Sequence, residues 1–294
     1  MIKSVKNYLA TIRIWQWFKS FVVFTLPIGS GTTDLTILTK VLLSFFALSF
    51  LSSSIYIFND LKDLEIDAKH PIKKFRPIAS GKIKKWSAIK FSIFLLIFGL
   101  ITLYFLNLDS FYFGLLYIFL GSFYTLKLKF VPYLDSLVIS SLFLFRLLIG
   151  GYAADISPSI YLSLFILIIS YALALSKRIS VLQDIRIDNE SMYKKFLLSS
   201  YNEQTLLNHF NITLIFGVLT YTSWVISEII NTTFYIKSLF QVVTIFIMVK
   251  IFYEVYNLTL SDGLEDFVLG VFKNKTIMFY ISLNLLFILL GIYL

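Results

Sequence analysis

The run ILTKVLLSFFALSFLSSSIYIF, residues 37–58, passes without a break into Asn59-Asp60-Leu61-Lys62-Asp63-Leu64-Glu65-Ile66-Asp67. A helix needs about 20 mostly apolar residues to cross a bilayer, so this reads as a membrane span that ends in an acidic segment. On a helix, Asp60, Asp63 and Asp67 fall at i, i+3 and i+7 and project from one face. Like charges on one face repel unless positive charge sits among them. A divalent cation is the simplest solution, and oxygen-only ligands favour Mg²⁺ over zinc or copper. His70-Pro71-Ile72-Lys73-Lys74-Phe75-Arg76-Pro77-Ile78-Ala79-Ser80-Gly81 follows, and puts Lys73 and Arg76 at a distance suited to phosphate oxygens. The bland alternative is a solvated loop of mixed charge. The membrane setting favours a site.

Composition supports that setting. The chain has 294 residues, is 58% hydrophobic and only 15% charged, and has a mean hydropathy of +0.82. Soluble domains carry about 25% charged residues, so this is an integral membrane protein. The absence of Cys excludes disulfides, thiolate metal sites and thiol nucleophiles. Two His, at 70 and 209, are too few for a histidine metal cluster. The N-terminus, MIKSVKNYLATIRIWQWFK, has neither a short apolar core nor a small-residue cleavage site and is read as mature sequence. The net charge of +9 needs no nucleic acid, because Lys and Arg gather in the cytoplasmic loops of membrane proteins.

Nine stretches are long and apolar enough to be expected spans: 14–33, 37–58, 86–106, 110–127, 132–153, 157–178, 208–230, 234–257 and 276–294. The first is the weakest, being interrupted by Pro27 and Gly29. The alternation of barrel strands is missing, so the expected fold class is an all-α membrane bundle in a single domain, 1–294. Cations cluster in 59–85 (Lys62, Lys69, Lys73, Lys74, Arg76, Lys82, Lys84, Lys85) and in 177–207 (Lys177, Arg178, Arg186, Lys194, Lys195). Lys127 with Lys129 and Lys273 with Lys275 mark two further connections, while those near Asp34, Asp109, Asp155 and Lys237 are almost free of cations. The positive-inside rule then puts the N-terminus and every basic loop in the cytoplasm and the C-terminus outside. The expected location is a bacterial inner membrane with a cytoplasm-facing active site. A transporter, the reading from another class, would show polar features on both sides or at mid-depth.

Other charges stand out against this background. Arg146 lies within an apolar helix just before Gly150-Gly151, which permit close packing. It either pairs with a buried carboxylate or has an anion-binding or site-organising role. Lys177 and Arg178 end the sixth span, and Lys127 follows Tyr124-Thr125-Leu126; each can snorkel or hold phosphate. Asp184 and Asp188 form an i, i+4 pair that would hold a second Mg²⁺ or pair with Arg186. No Ser/His/Asp set and no glycine-rich nucleotide loop is present.

An NDxxDxxxD motif after the second of nine spans resembles the UbiA-type superfamily of intramembrane prenyltransferases. The longer string, from Asn59 through His70-Pro71, Lys73 and Arg76 to Gly81, is similar to the decaprenyl-phosphate phosphoribosyltransferase branch. Tyr124 with Leu126-Lys127, Phe145-Arg146 with Gly150-Gly151, Ile156-Ser157-Pro158, Lys177-Arg178 and Tyr201 extend the similarity over roughly residues 10 to 275. Two positions depart from the branch. Val181 stands where a carboxylate is usual, and Asn274-Lys275 where Asp-Arg or Asp-Lys is usual.

The resemblance implies a Mg²⁺-dependent phosphoribosyltransferase that serves cell-envelope glycan synthesis. Its donor would be 5-phosphoribosyl 1-pyrophosphate and its acceptor a polyprenyl phosphate in the bilayer. Asp60, Asp63 and Asp67 would hold the metal. Asn59, Lys73, Arg76, Tyr124, Lys127, Arg146, Lys177 and Arg178 would bind the substrates. The Asp184/Asp188 pair is similar instead to the second acidic motif of ordinary prenyltransferases, which keeps an aromatic or quinone-precursor prenyltransferase as the alternative. A homo-oligomer is left open.

Overall fold

The computed structural model describes residues 2–183, 192–230, 235–261 and 267–293, and all regular structure among them is helical. The chain falls into two compact units. The first comprises Met1–Pro27, Thr32–Lys129 and Phe145–Ser157; the second comprises Ile28–Gly31, Phe130–Leu144 and Pro158–Leu294.

The first unit begins with α1 (Ile2–Thr11) and a 3₁₀ helix over Ile14–Phe24, continued by α2 (Thr25–Gly29). Arg13 turns the chain between the first two, in the left-handed region at φ 52°, ψ 54°. Next come α3 (Leu35–Lys62) and α4 (Leu64–Lys69), then α5 (Lys85–Leu106) and α6 (Leu108–Leu126). Local chemistry sets the starts. The Asp34 side chain accepts the Thr36 N–H at 2.7 Å to cap α3, and Asn107 accepts those of Asp109 and Ser110 to cap α6. Helix α3 packs on α5, α6 and the 3₁₀ helix, and its serines allow that closeness. Ser53 Oγ donates to the Ile12 carbonyl at 2.9 Å, while Ser54 bonds Ser92 and Ser52 bonds the Tyr117 hydroxyl. Toward the opposite end of α3 from Asp60, Lys40 donates to Asp155 at 2.8 Å and Asn107 Nδ2 to the same carboxylate at 3.2 Å. The Lys40 hydrogen bond holds the Asp155 carboxyl below the ordinary range.

Helix α7 (Leu134–Ala153) is divided, Leu134–Leu144 belonging to the second unit and Phe145–Ala153 to the first. In the second unit follow α8 (Ile160–Gln183), α9 (Met192–Ser200), α10 (Glu203–Ile230), α11 (Tyr235–Leu260), α12 (Phe267–Lys273) and α13 (Lys275–Tyr293). Here α8 packs on α10, and α11 on α13. Tyr221 donates to Asn284 at 3.2 Å and Asn284 to the Thr244 carbonyl at 2.9 Å, which ties α10, α11 and α13 together through buried polar groups. Both departures noted in the sequence find a local use. Asn274 caps α13 by accepting the N–H groups of Thr276 and Ile277, a task Asn and Asp perform alike. Val181 is buried in the core.

Seven helices among the described residues are long and apolar enough to cross a membrane: α3, α5, α7, α8, α10, most of α11, and α13. The chain is a multi-pass membrane protein. Nine spans were expected. The stretch expected at 110–127 is helical, but α6 is diluted by Gly, Ser and Tyr and falls outside the seven. The stretch at 14–33 is not one long α-helix but the 3₁₀ helix and the short α2, with Gly31 in a positive-φ turn after them.

Gly150 shows what that arrangement demands. A Cβ there would lie 2.3 Å from the Val23 carbonyl oxygen, so α7 meets the 3₁₀ helix backbone to backbone. Gly150→Ala is expected to cost about 1–3 kcal/mol by overpacking, read as a lower melting temperature of the purified protein in detergent.

Candidate active site

Helix α3 stops at Lys62 and α4 starts at Leu64, so the acidic segment bends at Asp63 (φ −88°, ψ 10°). The bend is shallow. Asp63 N–H still reaches the Asn59 carbonyl at 2.9 Å, and Asp67 N–H reaches the Asp63 carbonyl at 2.8 Å. Asp60 and Asp67 therefore keep one face, as the spacing predicts. Arg76 returns to that face from the loop after α4, and its Nη1 lies 3.1 Å from Asp60 Oδ1 and 2.6 Å from Asp67 Oδ2. Both carboxylates are almost fully buried, at 5% and 3% exposure. Asp60 also takes Arg13 Nη2 at 2.6 Å, and the Arg13 guanidinium stacks over Tyr56, 5.1 Å from the ring centre. Asp63 turns elsewhere and pairs with Lys129 Nζ at 3.1 Å.

Three carboxylates thus meet Arg13, Arg76 and Lys129. Among the described residues no three His, Cys, Asp or Glu side chains converge into a ready metal cage. What converges is a pair: Arg76 Nη1 marks a point of positive charge shared by Asp60 and Asp67. Mg²⁺ is usually held by one or two carboxylates, with water and substrate phosphates completing the shell, so this oxygen pair fits it.

The loop that delivers Arg76 is built by His70. Its Nδ1 accepts the N–H groups of Ile72 and Lys73, both at 3.2 Å, and so organises the 3₁₀ turn Lys73–Phe75. Burial, with Lys73 nearby, pushes the imidazole below its usual value, in keeping with an unprotonated acceptor nitrogen. Lys73 is exposed on this turn, and Asn59 and Tyr124 are half-buried. Lys127 is the exposed residue that closes α6. Arg146 is buried in the first unit. Its Nη2 donates to the Tyr117 hydroxyl at 2.6 Å, and that hydroxyl bonds Ser52, linking α7, α6 and α3.

The second unit holds its own polar cluster. Arg178, 1% exposed, is not presented to a ligand as a surface cation would be. Its Nε donates to Asp135 Oδ2 at 2.8 Å, Nη2 donates to the same oxygen, and Nη1 donates to the Ala174 carbonyl. Tyr201 donates to Asp135 Oδ1 at 2.9 Å and accepts the Tyr133 N–H at 2.8 Å; Tyr133 itself has φ 61°. Burial raises the Tyr201 phenol above its ordinary value, so it stays a donor to the carboxylate. The Arg178 fork is engaged by Asp135 and a backbone carbonyl, a geometry that suits a structural lock. Lys177 is half-buried beside it on α8. Asp184 and Asp188 lie outside the described residues.

Sequence reading did not single out Arg13, Lys129 or Asp135 as site residues. Arg13 had only the signal of a lone cation entering an apolar run. Asp135 had that of an acid in the first turn of a span.

The similarity to known proteins runs through these same elements. A model of the UbiA prenyltransferase family matches residues 21–291. The decaprenyl-phosphate phosphoribosyltransferase of Mycolicibacterium smegmatis is 31% identical over 229 residues, covering 76% of this chain and 71% of the relative. Its counterpart in Mycobacterium tuberculosis is 28% identical over 225 residues, covering 75% and 74%. A solved structure of a UbiA homolog from Archaeoglobus fulgidus, bound to DMAPP and Mg²⁺, matches with a TM-score of 0.73 at 14% identity, over 97% of this chain and 99% of that one. The family match extends from within the 3₁₀ helix to α13 and takes in the whole acidic segment with its arginine-bearing loop, and on that ground the chain belongs to the UbiA prenyltransferase family.

Proposed function

We propose that this protein transfers 5-phosphoribose from 5-phosphoribosyl 1-pyrophosphate to a polyprenyl phosphate in the bilayer. The reading rests on Arg76, which the His70–Gly81 loop carries to a point shared by Asp60 and Asp67. The string that builds this loop resembles the phosphoribosyltransferase branch, and the two mycobacterial relatives bear that name.

The chemistry asks for little beyond charge. An oxygen of the acceptor phosphate attacks the ribose C1. The C1–O bond to pyrophosphate breaks, and the electron pair leaves with pyrophosphate. The acceptor is already an anion at neutral pH, so no general base is needed. Mg²⁺ would be held by Asp60 and Asp67, with Asp63 joining on release from Lys129, and would supply charge to neutralise the departing pyrophosphate. Arg13 and Arg76 are placed to exchange a carboxylate for a phosphate oxygen, a change of partner that suits the guanidinium fork. Lys73 and Lys127 supply further cations for phosphates, and Asn59 and Tyr124 supply neutral hydrogen-bonding groups. The clustering of Lys and Arg in the loops at this end of α3 supports a cytoplasmic face for it by the positive-inside rule, and a water-soluble donor is available there.

Purified protein given labelled donor, polyprenyl phosphate and Mg²⁺ is expected to form a labelled lipid and release one pyrophosphate per lipid. Consumption of a prenyl pyrophosphate with no labelled lipid would transfer the assignment to an aromatic or quinone-precursor prenyltransferase. Uptake into liposomes without chemistry would make the protein a transporter.

A further inference from the structure

We propose that the groove between α3, α5 and α6 in the first unit is a binding site for a resident anionic phospholipid, separate from the reacting substrates. The groove has a volume of about 560 Å³, within the range of about 300–1,000 Å³ common for ligand sites. Ile55, Phe58 and Leu61 form one wall, Ile89 and Ile93 a second, and Ile118 a third. No carboxylate lines it.

Charge is confined to one end. Lys62 lines the groove where α3 stops, and its ammonium donates to the carbonyls of Thr125 and Leu126, both at 2.9 Å. An ammonium carries three N–H groups, so one remains for an acceptor. Lys85 opens α5 and is exposed; Ile89, Ser92 and Leu96 follow it at i+4, i+7 and i+11 along one stripe, and all three line the groove. Helices α3 and α5 pack together and are joined by residues 63–84, which brings Lys62 and Lys85 to the same end. These two residues end one candidate span and begin the next, at the depth of headgroup phosphates. From Lys62 the groove runs inward to Ser54, about 12 Å along the helix axis. Trp86 beside Lys85 is 74% exposed, a further interface anchor.

Position separates this ligand from Asp60. An α-helix turns about 100° per residue, so Lys62 lies about 200° around α3 from Asp60. A phosphate held by Lys62 is therefore on the far side of the helix from the carboxylate that Arg13 and Arg76 hold.

The test is native mass spectrometry of the purified full chain in mild detergent, with equal amounts of phosphatidylglycerol and phosphatidylcholine. Each lysine near a headgroup phosphate contributes about 1 kcal/mol, or about fivefold. We expect one retained lipid and about a twentyfold preference for phosphatidylglycerol. Lys85→Gln, on an exposed first turn, is expected to lower that preference about fivefold, and Lys62→Gln likewise. Ser122→Trp, which fills the groove, is expected to abolish retention of both lipids with an unchanged circular dichroism spectrum. Equal retention of the two lipids by the unaltered protein would overturn the proposal. So would a preference that survives both lysine changes, or a dimer that excludes the lipid. If equimolar polyprenyl phosphate displaces phosphatidylglycerol, the groove belongs to the acceptor instead. None of these readouts measures transfer, so the outcome is independent of the proposed reaction.

Discussion

Asp60→Asn is expected to lower the transfer rate at least about a hundredfold, a loss of about 2.7 kcal/mol of transition-state stabilisation. Asp63→Asn is expected to do the same. Asparagine keeps the shape and one acceptor oxygen but gives up the negative charge that draws a divalent cation. The fold should survive. A neutral amide at the buried Asp60 position removes a charge that is costly to desolvate. Arg13 and Arg76 are 17% and 28% exposed, so they can recover hydration. The measurement is Mg²⁺-dependent pyrophosphate release by the two purified variants, with their thermal unfolding as control. A raised Mg²⁺ requirement at unchanged melting temperature is the expected pattern. Wild-type turnover and Mg²⁺ dependence in both variants would remove the carboxylates from the reaction.

Arg178→Met is expected to destabilise the protein by about 3–5 kcal/mol, because it strands the fully buried Asp135 carboxylate. That is a large part of an ordinary domain stability of about 5–15 kcal/mol, so poor accumulation is expected too. Arg178→Lys keeps the charge but lacks the fork that reaches Asp135 through two nitrogens and the Ala174 carbonyl through a third. It should fall between. Removing both charges together, Asp135→Leu with Arg178→Met, should recover much of the loss. Thermal melts in detergent distinguish the roles. If Arg178→Met melts like the unaltered protein yet no longer binds the donor, Arg178 is a phosphate ligand and not a structural lock.

These two sites show where sequence reading succeeds and where it stops. The face shared by Asp60 and Asp67 and the Arg76 that serves it lie within 17 residues of one another, and helical periodicity over so short a span is a local property; Asp63, expected on the same face, turns instead to Lys129. Apolar run length likewise announces most of the spans. It does not show how the first is built, where the left-handed turn at Arg13 starts a 3₁₀ helix and the short α2 follows. The buried Arg178 and the half-buried Lys177 are adjacent and chemically alike in sequence; one faces Asp135, and only helix packing makes that choice.

The sequence by itself determined an all-helical membrane chain with an acidic surface at the end of a span and a cation-bearing loop just after it. Those features follow from hydrophobic run length, helical spacing and short-range turn chemistry. The tertiary structure decided which cation meets which carboxylate: Arg13 with Asp60 across 47 residues, Lys129 with Asp63 across 66, Arg178 with Asp135 across 43. A charge in sequence carries no record of the partner that buries it. That partner is chosen when distant helices pack, because a desolvated charge must find its opposite in the same interior.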